Sequence, residues 1–389
     1  MMSPTKQDKA GYNGFEQGPI RPPSEANSLL IRITRNCPWN RCTFCPVYKD
    51  HRFSIRPVEH VLKDIDAVHE HVRQLQQSAD DAGRIRREQI QNMADTADPL
   101  DVQALYAALH WIAGSMKSIF IQDANSLIIK PADLIKILNH LMTCFPWVER
   151  VTSYARSHTV ARIKDKDLGE MKSAGLNRIH IGLESGSDEV LKKVMKGVSK
   201  ATQIKAGRKV KTAGIELSEY VMPGLGGKTL SDVHARETAD ALNQIDPDFI
   251  RLRTLAIPNH VPLYDQYQQA QFEKCNDKQM AAEILTFVES LNGITSFVKS
   301  DHILNLFQEI EGKLPEDQPL MMKPIQTFLS MDPDQQTLYV IGRRLGIFSK
   351  LSDMQRIRRF QRAEKACREL GVTPQNVDAV VEELMKRFI

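Results

Sequence analysis

Ser28-Leu29-Leu30-Ile31-Arg32-Ile33-Thr34 runs directly into Arg35-Asn36-Cys37-Pro38-Trp39-Asn40-Arg41-Cys42-Thr43-Phe44-Cys45. The first stretch is apolar and β-branched, so it reads as a buried strand. The second reads as the loop at that strand's C-terminal end. Working outward, five more runs have strand character: Ser118–Asp123, Arg150–Arg156, Arg178–Glu184, Ile215–Met222 and Phe249–Leu255. Amphipathic segments separate them, at Pro57–Gln77, Pro131–Cys144, Lys164–Ala174, Ser199–Ala213 and Leu230–Ile245. Strands alternating with helices of this length predict right-handed βαβ units on a parallel sheet. Six such units define an α/β fold, a partial (βα)6 TIM-like barrel. The cysteine loop then lies on the face where barrels carry their chemistry.

The rest of the chain arranges itself around that core. Residues 1–27 are polar and rich in Gly and Pro, and read as a flexible leader able to wrap the domain. The core barrel is expected over 28–262. Its first connection is long and carries a helical insertion at about 70–115, because a structureless loop of that size is uncommon in a compact domain. After Pro262 strand signals fade, and 263–389 reads as a helical region, with helices at Asp277–Leu291, Asp301–Ile310, Met331–Leu345, Asp353–Leu370 and Thr373–Phe388. Over the 389 residues, 52 basic and 48 acidic side chains leave a net charge of +4. Such balance argues against a dedicated nucleic-acid binder. No run approaches the ~18 apolar residues of a membrane helix. The beginning of the chain has no secretory signal. A cytoplasmic location is expected.

Three of the six cysteines fall within nine residues, as C-x4-C-x2-C, while Cys144, Cys275 and Cys367 are scattered. That distribution suits ligation of a metal or cluster rather than a disulfide framework. Two readings of the clustered three remain open. Cys37, Cys42 and Cys45 with His51 make C-x4-C-x2-C-x5-H, a pattern for a zinc site in a non-catalytic scaffold. Alternatively, three thiolates hold three irons of a [4Fe–4S] cubane and leave the fourth iron open to a substrate.

Further motifs favour the second reading. The loop resembles that of the radical S-adenosylmethionine (SAM) superfamily, whose usual spacing is C-x3-C-x2-C with an aromatic residue before the last cysteine. Phe44 holds that place, and the first gap here is one residue longer. Arg178–Glu184 with Ser185-Gly186-Ser187 resembles the fourth-strand motif of the subset containing the Elongator catalytic subunit, the methylthiotransferases and oxygen-independent coproporphyrinogen oxidase. Gln122-Asp123-Ala124-Asn125 stands where the family has a Gly-Gly-Glu stretch that reaches the SAM amine. Met222-Pro223-Gly224-Leu225-Gly226-Gly227 resembles its fifth-strand ending.

The resemblance implies a radical SAM enzyme with two cofactors, a [4Fe–4S] cluster on Cys37, Cys42 and Cys45 and S-adenosyl-L-methionine. It implies reductive cleavage of SAM to open hydrogen abstraction on an unidentified substrate, with a methyl or methylthio transferase as the alternative within the family. An electron donor such as flavodoxin or ferredoxin is the implied partner. Phe44, Asp123 and Glu184 are the cofactor-binding residues it implies, and the strand faces add Arg156 and Arg253 as candidates. Strand periodicity supports the placing of several. Arg178, His180, Gly182 and Glu184 share one face, Tyr154 and Arg156 another, and Arg251 and Arg253 a third. His180 reads as a hydrogen-bonded spacer. Two inward cations need partners: Glu184, Asp123 or Glu219, or else the carboxylate of SAM or of the substrate.

Overall fold

A computed structural model of the chain describes residues 11–385, so the first ten residues of the expected leader lie outside the described residues. The chain packs as two compact units. Unit 1 takes residues up to 40, 47–181 and 209–216, and unit 2 takes 41–46, 182–208 and 217 onward.

Unit 1 holds the strands β1 (Leu29–Arg32), β2 (Thr34–Arg35), β3 (Ser54–Ile55), β4 (Ser118–Gln122) and β5 (Arg150–Ala155), and most of β6 (Leu176–Glu184). β1, β4, β5 and β6 pair in parallel in that order, with Arg32 opposite Gln122 and Tyr154 opposite His180. β2 and β3 form a small antiparallel pair just past β1. Helix α1 (Val58–Ser78) forms because Val58, Val61, Ile65, Val68, Val72 and Leu75 recur at helical spacing, and all six are buried. It packs on α3 (Val102–Ala113) and α4 (Pro131–Cys144), which bury Trp111 and the row Leu134, Ile137, Leu138 and Leu141. Between α1 and α3 lies α2 (Arg87–Thr96), which buries nothing. The short α5 (Ser157–Val160) and α6 (Asp165–Ser173) precede β6. Residues 11–27 run over this unit. Phe15 is buried, Gly18 N–H donates to Gln122 Oε1 at 2.8 Å, and Glu16 pairs with Arg35 and Arg56 at 2.8 and 3.1 Å.

In unit 2, β7 (Glu216–Val221) and β8 (Phe249–Leu252) pair in parallel, and β8 pairs in parallel with β9 (Phe297–Lys299). β10 (Glu311–Lys313) then returns antiparallel to β9. The helices are α7 (Asp188–Lys193), α8 (Lys200–Thr212, crossing into unit 1), α9 (Ser231–Ile245), α10 (Pro262–Gln268), α11 (Asp277–Ser290), α12 (Gln318–Ser330), α13 (Pro333–Arg344), α14 (Ile357–Glu369) and α15 (Val377–Met385). Asn276 caps α11 by accepting from Gln279 N–H, and α11 packs on α9 and α12.

All six expected strands are present, and the element order is that of the expected partial (βα)6 barrel. The C-terminal region differs in detail. β9 and β10 stand in the region expected to be helical: three residues are too few for a period-2 signal, and only pairing with β8 makes β9 a strand. The helix expected at Asp301–Ile310 is irregular: Asn305 instead spends its amide on Thr254, Leu252 and Ser300. α10 and α12 were missed, the latter because Pro324 interrupts its pattern. Among the described residues no helix is long and apolar enough to cross a membrane.

Candidate functional site

In unit 1 the beginning of the cysteine loop is fixed by one buried carboxylate. Asp123 follows β4 and its side chain is fully enclosed. Its Oδ2 accepts from Arg32 on β1 at 2.7 and 3.1 Å and from the backbone N–H of Asn36 at 3.2 Å. Its Oδ1 accepts from the Tyr48 hydroxyl. Burial, then the charge of Asp123, push the Tyr48 phenol far above its ordinary value, so it stays a donor. Asn36 has φ +65°, in the left-handed region that asparagine tolerates, and its side chain donates to Arg52 O at 2.6 Å. Cys37 comes next, with a free, half-exposed thiol that accepts from Asn40 N–H at 3.5 Å. Trp39 lies under the guanidinium of Arg156, which is 5.1 Å from the ring centroid. Arg156 immediately precedes α5, and its backbone N–H donates to Asn125 Oδ1 at 2.9 Å. Asp123 and Arg156, both expected to bind the cofactor, thus hold the loop at Asn36 and Trp39.

In unit 2 the rest of the loop is pinned by its backbone. Thr43 N–H donates to Val194 O and Thr43 O accepts from Leu263 N–H, each at 3.0 Å. Phe44 is buried among Val190, Val194, Leu225, Leu255 and Phe272, and Cys42, Cys45 and Met222 pack against the same cluster. Lys196 sits 6.0 Å from the Phe44 ring and donates to Glu184 Oε1 at 3.1 Å. Glu184 ends β6 at φ +63°, and its carbonyl accepts from Met222 N–H at the end of β7. The carboxylate folds back over Gly182, where a Cβ would collide with it. Phe44 and Glu184 are therefore brought to one place, through Lys196.

The neighbouring strand ends are equally organised. Arg253, just past β8, lies 4.4 Å over the Tyr220 ring. Arg251 pairs with Asp301 and donates to Ser218. Glu219 is fully buried, and burial pushes its carboxyl well above the usual range. Gly224 adopts φ +86°, and its N–H donates to Glu283 Oε1 at 2.6 Å. Glu283 also binds Ser231, and His234 joins Ser185 to Met222 O. This buried network fixes the segment 222–227 after β7. On unit 1, His180 is enclosed against Tyr154, with Nε2 3.4 Å from Glu25 Oε1.

Sequence reasoning missed Lys196, Tyr48, Trp39 and Asp301. None stands at a spacing from its partner that any local rule marks. The partner of Arg251 came from the segment after β9, not from Glu184, Asp123 or Glu219. His51, the fourth member of the zinc pattern, is exposed, and its carbonyl lies 3.5 Å from the Asn40 amide.

Parallel βα units thus carry three cysteines, none in a disulfide, on the loop after the first strand. A model of the radical SAM superfamily matches residues 31–239, more than half of the chain, and the chain belongs to that superfamily. It is an S-adenosylmethionine-dependent enzyme, and its cofactors are a [4Fe–4S] cluster and SAM. Two curated relatives are named tRNA uridine(34) acetyltransferase. The one from Methanocaldococcus infernus is 23% identical and the one from Methanocaldococcus jannaschii 21%, each over 129 residues, 33% of this chain and 24% of theirs. The match thus spans about a quarter of those relatives' length. Among solved structures, Methanocaldococcus infernus Elp3 is similar at 16% identity and TM-score 0.40, covering 52% of each chain. Escherichia coli HemN is similar at 13% and 0.41, covering 67% of this chain and 50% of that one. Scores of this size bear on neither substrate nor reaction.

Proposed function

We propose that Cys37, Cys42 and Cys45 hold the [4Fe–4S] cluster, and that the enzyme cleaves SAM reductively to begin hydrogen abstraction on a substrate yet to be identified. The observation that carries this is the donor set: three partly exposed thiols within nine residues, on the loop after β1 and inside the segment that matches the superfamily. The donors fit the group, since three thiolates suit a cubane with one iron left open. When bound, the cluster supplies the electron that breaks a carbon–sulfur bond of SAM and yields the abstracting radical. The chain's own residues position and shield. Asp123 and Arg156 fix the loop on unit 1, while the apolar cluster around Phe44 packs against one side of Cys42 and Cys45. The Glu184 carboxylate, oriented by Lys196, accepts hydrogen bonds from the SAM ribose or amino group, and Arg253 offers a guanidinium to a carboxylate. A small reductant protein such as flavodoxin or ferredoxin delivers the electron.

Anaerobic reconstitution tests the proposal. The wild type should hold a full complement of iron and sulfide and release 5′-deoxyadenosine from SAM under reduction. Alanine at any of the three cysteines should abolish both. A colourless protein that binds zinc at these cysteines, with no SAM cleavage, would sink it.

A further inference from the structure

On unit 1, away from the cysteine loop in sequence, α1 and α4 bring three metal-binding side chains together. His140 and Cys144 are four residues apart on α4, so they share a face. Asp66 comes from α1, which packs on α4. The His140 Nε2 lies 2.7 Å from Asp66 Oδ1 and 3.7 Å from Cys144 Sγ, and the three donor atoms all lie within 4.8 Å of one another. We propose that Asp66, His140 and Cys144 form a zinc site with a fourth, solvent-facing position that takes water.

The geometry carries this in three ways. Tetrahedral zinc, with bonds of about 2.0–2.1 Å to N and O and about 2.3 Å to S, sets its donors about 3.4 Å (N to O) and about 3.6 Å (N to S) apart. The imidazole–thiol separation already has that value. The imidazole–carboxylate separation must open by about 0.7 Å to reach the zinc geometry, which the exposed Asp66 side chain can do by rotation. Second, one ring nitrogen faces both other donors. Nε2 has a single proton or a single lone pair, so it serves Asp66 or Cys144 but not both, whereas a cation between the three satisfies all of them. Third, zinc with one carboxylate, one thiolate and a neutral imidazole is uncharged, which suits a site that is buried at Cys144 and open at Asp66. A mixed N, O, S set also selects zinc over calcium or magnesium. An interhelical ion pair would need only Asp66 and His140, and leaves the thiol unexplained.

The test uses the full chain with its cluster reconstituted, so that Cys37, Cys42 and Cys45 are occupied by iron. Zinc is titrated anaerobically against a chromophoric chelator, and zinc and iron per chain are read by mass spectrometry. One zinc per chain is expected. Losing a supporting outer-shell partner weakens metal sites by about 10–100-fold, and losing a ligand should exceed that. Cys144→Ser and His140→Ala should therefore each weaken zinc by more than about 100-fold, while Cys367→Ala should not. Zinc should also raise the unfolding midpoint of the wild type and of neither ligand variant. No zinc bound more tightly than in Cys144→Ser, or equal binding by all variants, would overturn the site. His140→Ala decides the matter if Cys144→Ser fails to fold, because the His140 ring is partly exposed and Cys144 is buried. If no cluster forms, the same titration on the Cys37→Ala, Cys42→Ala, Cys45→Ala triple variant gives the zinc answer independently.

Discussion

Replacing Asp123 with asparagine keeps the shape of the side chain and removes the charge on which Arg32, Asn36 and Tyr48 converge. Breaking one partner of a buried ion pair costs about 3–5 kcal/mol. Arg32 keeps a distant second carboxylate, Glu16 at 3.9 Å, so the lower end applies. With the amide oxygen towards Arg32 and Asn36, the amide NH2 faces Tyr48, whose hydroxyl must turn from donor to acceptor. A loss of about 3 kcal/mol lowers the midpoint of a unit this size by about 6–12 °C. Circular dichroism melts of the apoprotein at neutral pH read this directly. Tyr48→Phe, which removes one hydroxyl and leaves the ion pair, should cost about 1–2 kcal/mol. Because Asn36 adjoins Cys37, iron retained after reconstitution should fall in Asp123→Asn as well. An Asp123→Asn protein that melts within a degree of the wild type and holds its full iron, yet binds SAM weakly, would refute this reasoning and make Asp123 a ligand of SAM.

Glu184→Gln should keep the cluster and weaken SAM binding by about 1–3 kcal/mol in an anaerobic titration, the cost of a charge-assisted hydrogen bond. Gly182→Ala should do likewise, since a Cβ there meets Glu184 Oε1 and comes within 3.1 Å of Lys196 Nζ; unchanged affinity in both would remove Glu184 from the site. Burial, with Arg253 adding to it, pushes the His302 imidazole down to about 4. Its folded value lies below the ordinary histidine value near 6.5, so the unfolded chain takes the proton more readily. Its contribution to stability is therefore full above about pH 6.5 and lost as pH falls towards the folded value. The apoprotein's unfolding midpoint should drop across that window, and His302→Gln should flatten the drop. Truncation after Pro262 strips α9 of α11, which buries Met280, Ile284, Phe287 and Val288, and leaves β8 without β9. Each such side chain is worth about 1.5–3 kcal/mol when buried, so aggregated or iron-poor protein is expected. A soluble fragment with full iron would show the C-terminal helices to be dispensable.

The six principal strands were legible because strand character is local: apolar and β-branched residues in runs such as Ser28–Thr34 declare themselves without knowledge of their partners. The same holds for α1, whose six buried residues follow helical spacing, and for the cysteine loop, whose three thiols are kept together by the chain itself. Tertiary structure alone decided which groups meet across long stretches of sequence. No spacing rule announces that Asp123 ties Arg32, Asn36 and Tyr48 together. Lys196 reaches Glu184, and Asp301 reaches Arg251, across gaps for which no spacing rule exists. β9 is a strand only because β8 lies beside it, and Pro324 hid α12 from its own periodicity. Cys144 reads as a stray thiol until α1 carries Asp66 up to it. Covalent neighbours and short periodicities are written into the order of residues. The meeting of distant polar groups depends on where packed helices and strands deliver them, because burial makes each seek a partner that the sequence does not name.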